Sequence, residues 1–235
     1  MGTLVILNNK SNFEIEEAKE YIKAVKSNLR TDLEIVVMPS ICYLPLFYGR
    51  YSFSLGSQNV GYINSTGEVL PNQLKSMNVK YSLVGHSDRR IYYNENYNII
   101  NRKVKVLIDN NIKPIVCVGE TLEEKSMRKT QEVLVKQLKL ALNGIEIDQD
   151  IIIAYEPIWA IGSGKTPTVS EIKEAVVLLK NILFKLSGKN VKVLYGGSIN
   201  KSNITRFSNI EEIDGFLIGG SSVDANNIID ILNLI

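Results

Sequence analysis

Ile151-Ile152-Ile153-Ala154-Tyr155-Glu156-Pro157-Ile158-Trp159-Ala160-Ile161-Gly162-Ser163-Gly164-Lys165-Thr166 is the stretch around which the chain is organised. Its β-branched opening suits a strand buried on both faces, the kind found in parallel sheets. A carboxylate closes that strand, and an unpaired carboxylate is costly to bury as a mere core residue. Pro157 keeps Glu156 out of helical geometry and sets the chain direction there. The apolar segment that follows ends in two glycines. Together these features read as a general base under a lid. The plain alternative is a strand end with a surface glutamate and an ordinary turn. Gly164-Lys165-Thr166 resembles the tail of a phosphate-binding P-loop, but that motif needs a glycine where Trp159 stands, so an NTPase is excluded.

Outward from this stretch, two kinds of segment alternate. Short apolar runs occur at Leu4–Leu7, Glu34–Met38, Ser52–Leu55, Tyr81–Val84, Ile115–Val118, Ile151–Ala154, Val191–Leu194 and Phe216–Ile218. Most of the intervals have helical spacing. Ile15, Ala18, Ile22, Val25 and Leu29 share one face. Ile100, Val104, Leu107 and Ile108 share a second, Leu134, Leu138 and Leu142 a third, and Ala175, Leu178, Leu179, Ile182, Leu183 and Leu186 a fourth. Val223, Ile228, Leu232 and Ile235 form the last. Thr121–Glu124 and Thr168–Glu171 have the form of capping boxes at helix starts. Shorter helices are predicted over Ser40–Arg50, Pro71–Asn78 and Lys201–Ser208. About eight strand–helix units with no long polar linker predict one domain over residues 1–235, an α/β fold built as a closed parallel (β/α)8 barrel. A doubly wound open sheet is the alternative.

Composition bounds the partners. The chain has 235 residues, 45% of them hydrophobic, and 27 basic against 25 acidic side chains leave a net charge of only +2. No basic stripe points to nucleic acid. Cys42 and Cys117 lack metal or redox spacing, and a single histidine makes a His/Cys metal site improbable. Two isolated thiols fit a reducing compartment. No apolar run reaches membrane-spanning length, and Leu4–Leu7 is too short for a signal peptide. Met1-Gly2 starts a myristoylation pattern that Ile6 breaks. A cytoplasmic protein is the expectation.

In such a barrel, function gathers where strands end. The first strand ends in Asn8-Asn9-Lys10, where a lysine offers a fixed charge to an anion, although most lysines are simply solvated. The fourth ends in Gly85-His86-Ser87-Asp88-Arg89-Arg90 and would aim the chain's one histidine at the barrel axis. Asp88 with Arg89 or Arg90 could be a plain ion pair. Strands seven and eight end in Tyr195-Gly196-Gly197-Ser198 and Ile218-Gly219-Gly220-Ser221. Paired glycines expose consecutive amides, and barrels commonly grip phosphate between these two strands. Glycines serving only tight turns would look the same. Lys10, His86, Glu156 and a cradle from Ser198, Gly219 and Gly220 suit proton abstraction beside a carbonyl on a phosphorylated substrate. No nucleophile elbow, dinucleotide fingerprint or metal cluster competes.

These motifs, with Gln58-Asn59, Thr66-Gly67-Glu68, Cys117-Val118-Gly119-Glu120 and Asp214–Gly220, make the chain similar over its full length to the triosephosphate isomerase family. The resemblance implies interconversion of dihydroxyacetone phosphate and glyceraldehyde 3-phosphate in glycolysis and gluconeogenesis, without a cofactor. It implies Glu156 as base, neutral His86 as electrophile, Lys10 as enediolate stabiliser and Asn8 as an orienting group. The Gly162 amide would grip phosphate from a lid at about 157–166. Cys117 and Glu120 would support the site from behind, while Tyr195 and Ser198 hold the closed lid. Four positions depart from the family pattern: Asn9 for an aromatic residue, Asp88 for glutamate, Pro167 at the second hinge, and a shortened stretch at Val60–Ser65. The last bears on a homodimer, implied by the family and weakened or altered here. A different sugar-phosphate isomerase or lyase, or a non-enzymatic homologue, remain as competing readings. Neither accounts for the lid sequence together with Lys10, His86 and Glu156.

Overall fold

The computed structural model describes residues 2–49, 51–148, 150–161 and 165–235; the side chain of Ser27 is not described. Eight parallel strands stand in sequence order around a closed barrel. They are β1 (Leu4–Asn8), β2 (Glu34–Met38), β3 (Ser54–Ser57), β4 (Val79–Val84), β5 (Lys113–Val118), β6 (Ile152–Tyr155), β7 (Lys192–Tyr195) and β8 (Gly215–Ile218). Closure is decided by the β1–β8 ladder, which pairs Leu4 with Gly215 and Leu7 with Ile218. That pairing removes the open-sheet alternative.

Alternation along each strand builds two apolar layers, because successive side chains point to opposite faces. Leu4, Ile6, Val36, Met38, Leu83, Ile115, Cys117, Ile152, Ala154, Leu194 and Leu217 fill the barrel interior. Their neighbours, among them Val5, Leu7, Val37, Val116 and Ile153, face the helices. Both faces are buried, so the strands read as continuous apolar runs rather than alternating ones. The helical layer comprises α1 (Ile15–Asn28), α2 (Pro71–Ser76), α3 (Ser87–Tyr92), α4 (Tyr97–Asp109), α5 (Leu122–Ser126), α6 (Thr130–Ala141), α7 (Val169–Ser187), α8 (Ile204–Ser208) and α9 (Ala225–Leu232). Both capping boxes form: the Thr121 and Thr168 hydroxyls accept from the Glu124 and Glu171 amides, and those carboxylates accept in return.

Several boundaries differ from the sequence reading. β3 begins at Ser54 rather than Ser52, because Tyr51 and Phe53 stack their rings 4.8 Å apart ahead of the ladder and mimic a strand. Gly56 then enters the barrel, where a Cβ would come within 2.5 Å of Met38 Cε. The segment after β2 is a 3₁₀ helix at Ile41–Phe47, since Pro45 within it cannot join an α-helical ladder. Its expected end, Arg50, lies outside the described residues. α8 starts at Ile204 because Asn200 and Asn203 lock the preceding turn with their side chains. Val223 precedes α9, which opens at Asp224 with its carboxylate accepting from the Asn227 amide. None of these differences disturbs the strand ends that carry the site.

Candidate active site

The β1 turn presents Lys10 in a left-handed conformation, φ 51°. A residue with a Cβ resists that region by about 1 kcal/mol, so the turn must be held from outside. Lys10 N donates to Asn8 Oδ1 at 3.1 Å. The Lys10 carbonyl accepts from Ser40 Oγ at 2.8 Å and Gln58 Nε2 at 2.7 Å. Beyond this clamp Lys10 Nζ reaches Asp88 Oδ2 at 3.0 Å. The shorter aspartate arm therefore still meets the lysine, and the alternative pairing of Asp88 with Arg89 or Arg90 is not what forms. Arg89 instead bonds Glu95, and Arg90 donates to the Gly85 and Cys117 carbonyls. Burial lowers the pKa of the Arg90 guanidinium from its usual value, while Cys117, Tyr97 and nearby carboxylates oppose the shift.

His86 caps α3 at the end of β4. Its Nδ1 accepts from the Asp88 amide at 3.1 Å, so the partners assign the ring's proton to Nε2. Nε2 lies 3.3 Å from Glu156 Oε1. The carboxylate's other oxygen accepts from the Ser87 amide at 3.4 Å. Glu156 is 3% exposed, and its backbone N donates to Val118 O at 2.7 Å. Behind it, burial and the adjacent carboxylate push the Cys117 thiol well above its usual pKa. Gly119 packs still closer: a Cβ there would stand 1.8 Å from the Glu156 carbonyl oxygen. A buried carboxylate, an imidazole N–H and an ammonium thus share one barrel mouth.

The glycine turns lie beside them. A Cβ on Gly219 would meet Lys10 Cε at 3.6 Å, and nothing described lies within 4 Å of one on Gly220. A 3₁₀ turn, Gly220–Ser222, follows directly. Ser198 is half-buried on the β7 turn, with its carbonyl accepting from Asn203 Nδ2. Tyr195 is fully buried against Phe207, and burial raises its hydroxyl pKa. That hydroxyl has no hydrogen-bond partner among the described residues. Gly162, the expected lid amide, lies with Ser163 and Gly164 outside the described residues. The segment leading to them is anchored: Trp159 Nε1 and the Tyr155 hydroxyl both donate to Glu120 Oε1, at 2.9 and 3.1 Å. Lys125 Nζ sits 3.4 Å over the Trp159 ring.

With this geometry in place, the comparisons with known proteins decide the family. A family model described as triosephosphate isomerase matches residues 3–235. The chain belongs to the triosephosphate isomerase family. A triosephosphate isomerase of Alkaliphilus oremlandii (strain OhILAs) is 37% identical over 239 residues, 96% of each chain. One of Clostridium botulinum (strain Langeland / NCTC 10281 / Type F) is 37% identical over 247 residues, 99% of this chain and all of the relative. One of Mycoplasmopsis pulmonis (strain UAB CTIP) is 36% identical over 243 residues, 97% and 96% of the two chains. Membership makes this protein an isomerase. No helix among the described residues is long and apolar enough to cross a membrane, and no group of three or more metal-ligating side chains occurs among them.

A cavity of about 780 Å³ is at the opposite, N-terminal mouth. Its charges pair off: Lys113 with Asp150, Lys180 with Asp214, and Lys192 with Glu34, which also accepts from the Tyr81 hydroxyl. These pairs leave no surplus charge for an anion, and this face of a barrel serves stability. Sequence reasoning missed several supports of the candidate site. Gln137 is the clearest: from α6 its amide donates to Gly119 O at 2.9 Å and accepts from Gly119 N at 2.8 Å. An uncharged amide on the apolar stripe with Leu134, Leu138 and Ala141 was the available signal. Gln58 was part of a family motif but had no role assigned to it, and Ser40 and Ser222 carried no signal, since the contacts of all three are set by turns distant in sequence.

Proposed function

We propose that this isomerase interconverts dihydroxyacetone phosphate and glyceraldehyde 3-phosphate by proton transfer through Glu156. The observation that carries the reading is the 3.3 Å approach of Glu156 to His86 Nε2, with Nδ1 occupied by a backbone N–H. Glu156 takes the proton from C1 of the ketose and returns it at C2. His86 donates its Nε2 proton toward the carbonyl oxygen and recovers one from the neighbouring hydroxyl, so the ring ends as it began. A neutral histidine beside a glutamate base is the arrangement long described for this enzyme family. Lys10 stabilises the enediolate charge, Asn8 orients the substrate oxygens and Asp88 tethers Lys10. Cys117 backs the base. Ser198, Gly219, Gly220 and the Gly162 amide grip the phosphate, and the lid closes on Tyr195 and Ser198 so that the enediolate cannot expel phosphate into water. No cofactor takes part, and the protein works in the cytoplasm.

The test is a coupled assay with glyceraldehyde 3-phosphate on the wild type and Glu156→Ala. The variant should lose about 10³-fold or more in kcat, the upper range for removing a general base. Wild-type turnover no better than the alanine variant would reject the mechanism. We also propose a homodimer. Ile41, Tyr48, Ile63, Ile91, Tyr92 and Tyr93 are exposed large apolar side chains that follow three adjacent strands, β2 to β4, and exposed apolar groups of this kind mark protein interfaces. Sedimentation velocity should give twice the mass of one chain; a single-chain mass at assay concentration would reject the dimer.

A further inference from the structure

Asn9 stands where this family usually has an aromatic residue, and the isomerase site described above assigns it nothing. It is nevertheless 0% exposed and bonded in three directions. Its backbone N donates to Met38 O at 3.1 Å at the end of β2. Its carbonyl accepts from Asn12 Nδ2 at 2.7 Å. Its side-chain Nδ2 donates to Ser222 O at 3.0 Å, across 213 residues, with the Ser222 hydroxyl at 3.4 Å. Ser222 ends the 3₁₀ turn that begins at Gly220, and its own N donates back to Gly219 O at 2.8 Å. One amide therefore ties the lysine turn of β1 to the glycine turn of β8.

This is a poor residue to choose for stability alone. Asn9 Oδ1 is buried without a hydrogen-bond partner among the described residues. Burial pushes the nearby Tyr21 phenol up to about 12, and its hydrogen bond with the Asn9 side chain opposes the shift, so it stays protonated. An orphaned buried acceptor is destabilising, whereas an apolar side chain of similar shape would carry no such penalty. What Asn9 supplies instead is a fixed relation between Lys10, itself in a strained φ, and Gly219, only 3.6 Å from Lys10 Cε when given a Cβ.

The geometry points to Asn9 as a positioning residue that sets the β8 phosphate turn against Lys10, so that the ammonium and the amides grip the substrate phosphate as one unit. The inference rests on the phosphate-binding reading of Gly219 and Gly220. The test compares wild type with Asn9→Leu, which keeps the shape and removes the donor, and with Asn9→Ala. Binding of inorganic phosphate is measured by calorimetry, and kcat/KM is measured for glyceraldehyde 3-phosphate and for phosphate-free glyceraldehyde. In both variants phosphate should bind about tenfold more weakly. The preference for the phosphorylated substrate should fall by about the same factor, as for a misplaced gripping group. The melting temperature should move by only about 2–4 °C, the shift of one lost hydrogen bond in a domain this size. Phosphate affinity and substrate preference within twofold of wild type would overturn the proposal. So would an equal loss with both substrates, which marks a general structural role. A wild type that binds phosphate but does not turn over triose phosphates, with phosphate binding weakened in the variants, would uphold the brace and reject the substrate assignment.

Discussion

Gly119→Ala is a single added methyl group whose consequence can be worked out from distances. The new Cβ would lie 1.8 Å from the Glu156 carbonyl oxygen and 2.5 Å from its carbon. Ordinary contact begins near 3.4 Å, so the two backbones must part by about 1.6 Å. Gly119 cannot readily yield, because the Gln137 side chain holds both its N–H and its carbonyl. The displacement therefore falls on Glu156 and Pro157. Misplacing a catalytic group by about 1 Å costs on the order of 10²-fold in rate, or about 2.7 kcal/mol of transition-state stabilisation. Overpacking should add about 1–3 kcal/mol of destabilisation. The glycine turns after β7 and β8, the proposed phosphate grip, are not among the atoms the new Cβ would meet, so KM for glyceraldehyde 3-phosphate should change little while kcat falls. A coupled assay at saturating substrate, with a melting curve on the same preparation, reads both. A variant with kcat within threefold of wild type and an unshifted melting transition would refute the reasoning, because either the clash or the demand on the base's position would then be unreal.

Two further predictions concern charge. Asp88→Ala removes the 3.0 Å partner of Lys10; both groups are about a third exposed, so stability should change by less than about 1 kcal/mol, while kcat/KM drops about tenfold because the ammonium loses its tether. An unaltered kcat/KM would show that Lys10 needs no such guide. Glu171 is held below the usual carboxylate pKa first by Lys125 and then by the Thr168 cap. A depressed folded-state pKa contributes stability above the unfolded value near 4.5 that is lost as pH falls below it. Glu171→Gln should therefore melt about 1–2 °C below wild type at pH 7, with the gap narrowing as the pH falls below 4.5. A gap independent of pH would assign the loss to the cap's shape and not to its charge.

How much could be read beforehand follows the range of the forces involved. The eight apolar runs, the helical stripes and both capping boxes are legible because they depend on residues at most four positions apart, or on faces buried without reference to a particular partner. Strand-end placement then singled out Lys10, His86, Glu156 and the glycine pairs, since a barrel gathers its function where the strands end. The Tyr51-Ser52-Phe53 alternation misled for the same reason: local pattern imitated a strand, and only the β2 ladder showed where pairing starts.

The sequence alone determined the barrel's periodicity and the chemical inventory at its mouth, since those are properties of neighbours along the chain. Only the tertiary structure decided the closure of β1 on β8, the proton on His86 Nε2, the Gln137 clamp on Gly119 and the Asn9 bond to Ser222. Each of these except the histidine contact joins segments far apart in sequence, and the histidine's tautomer depends on where its ring turns. A hydrogen bond needs its two atoms within about 3 Å, and no spacing rule along a chain can specify that meeting before the barrel has closed.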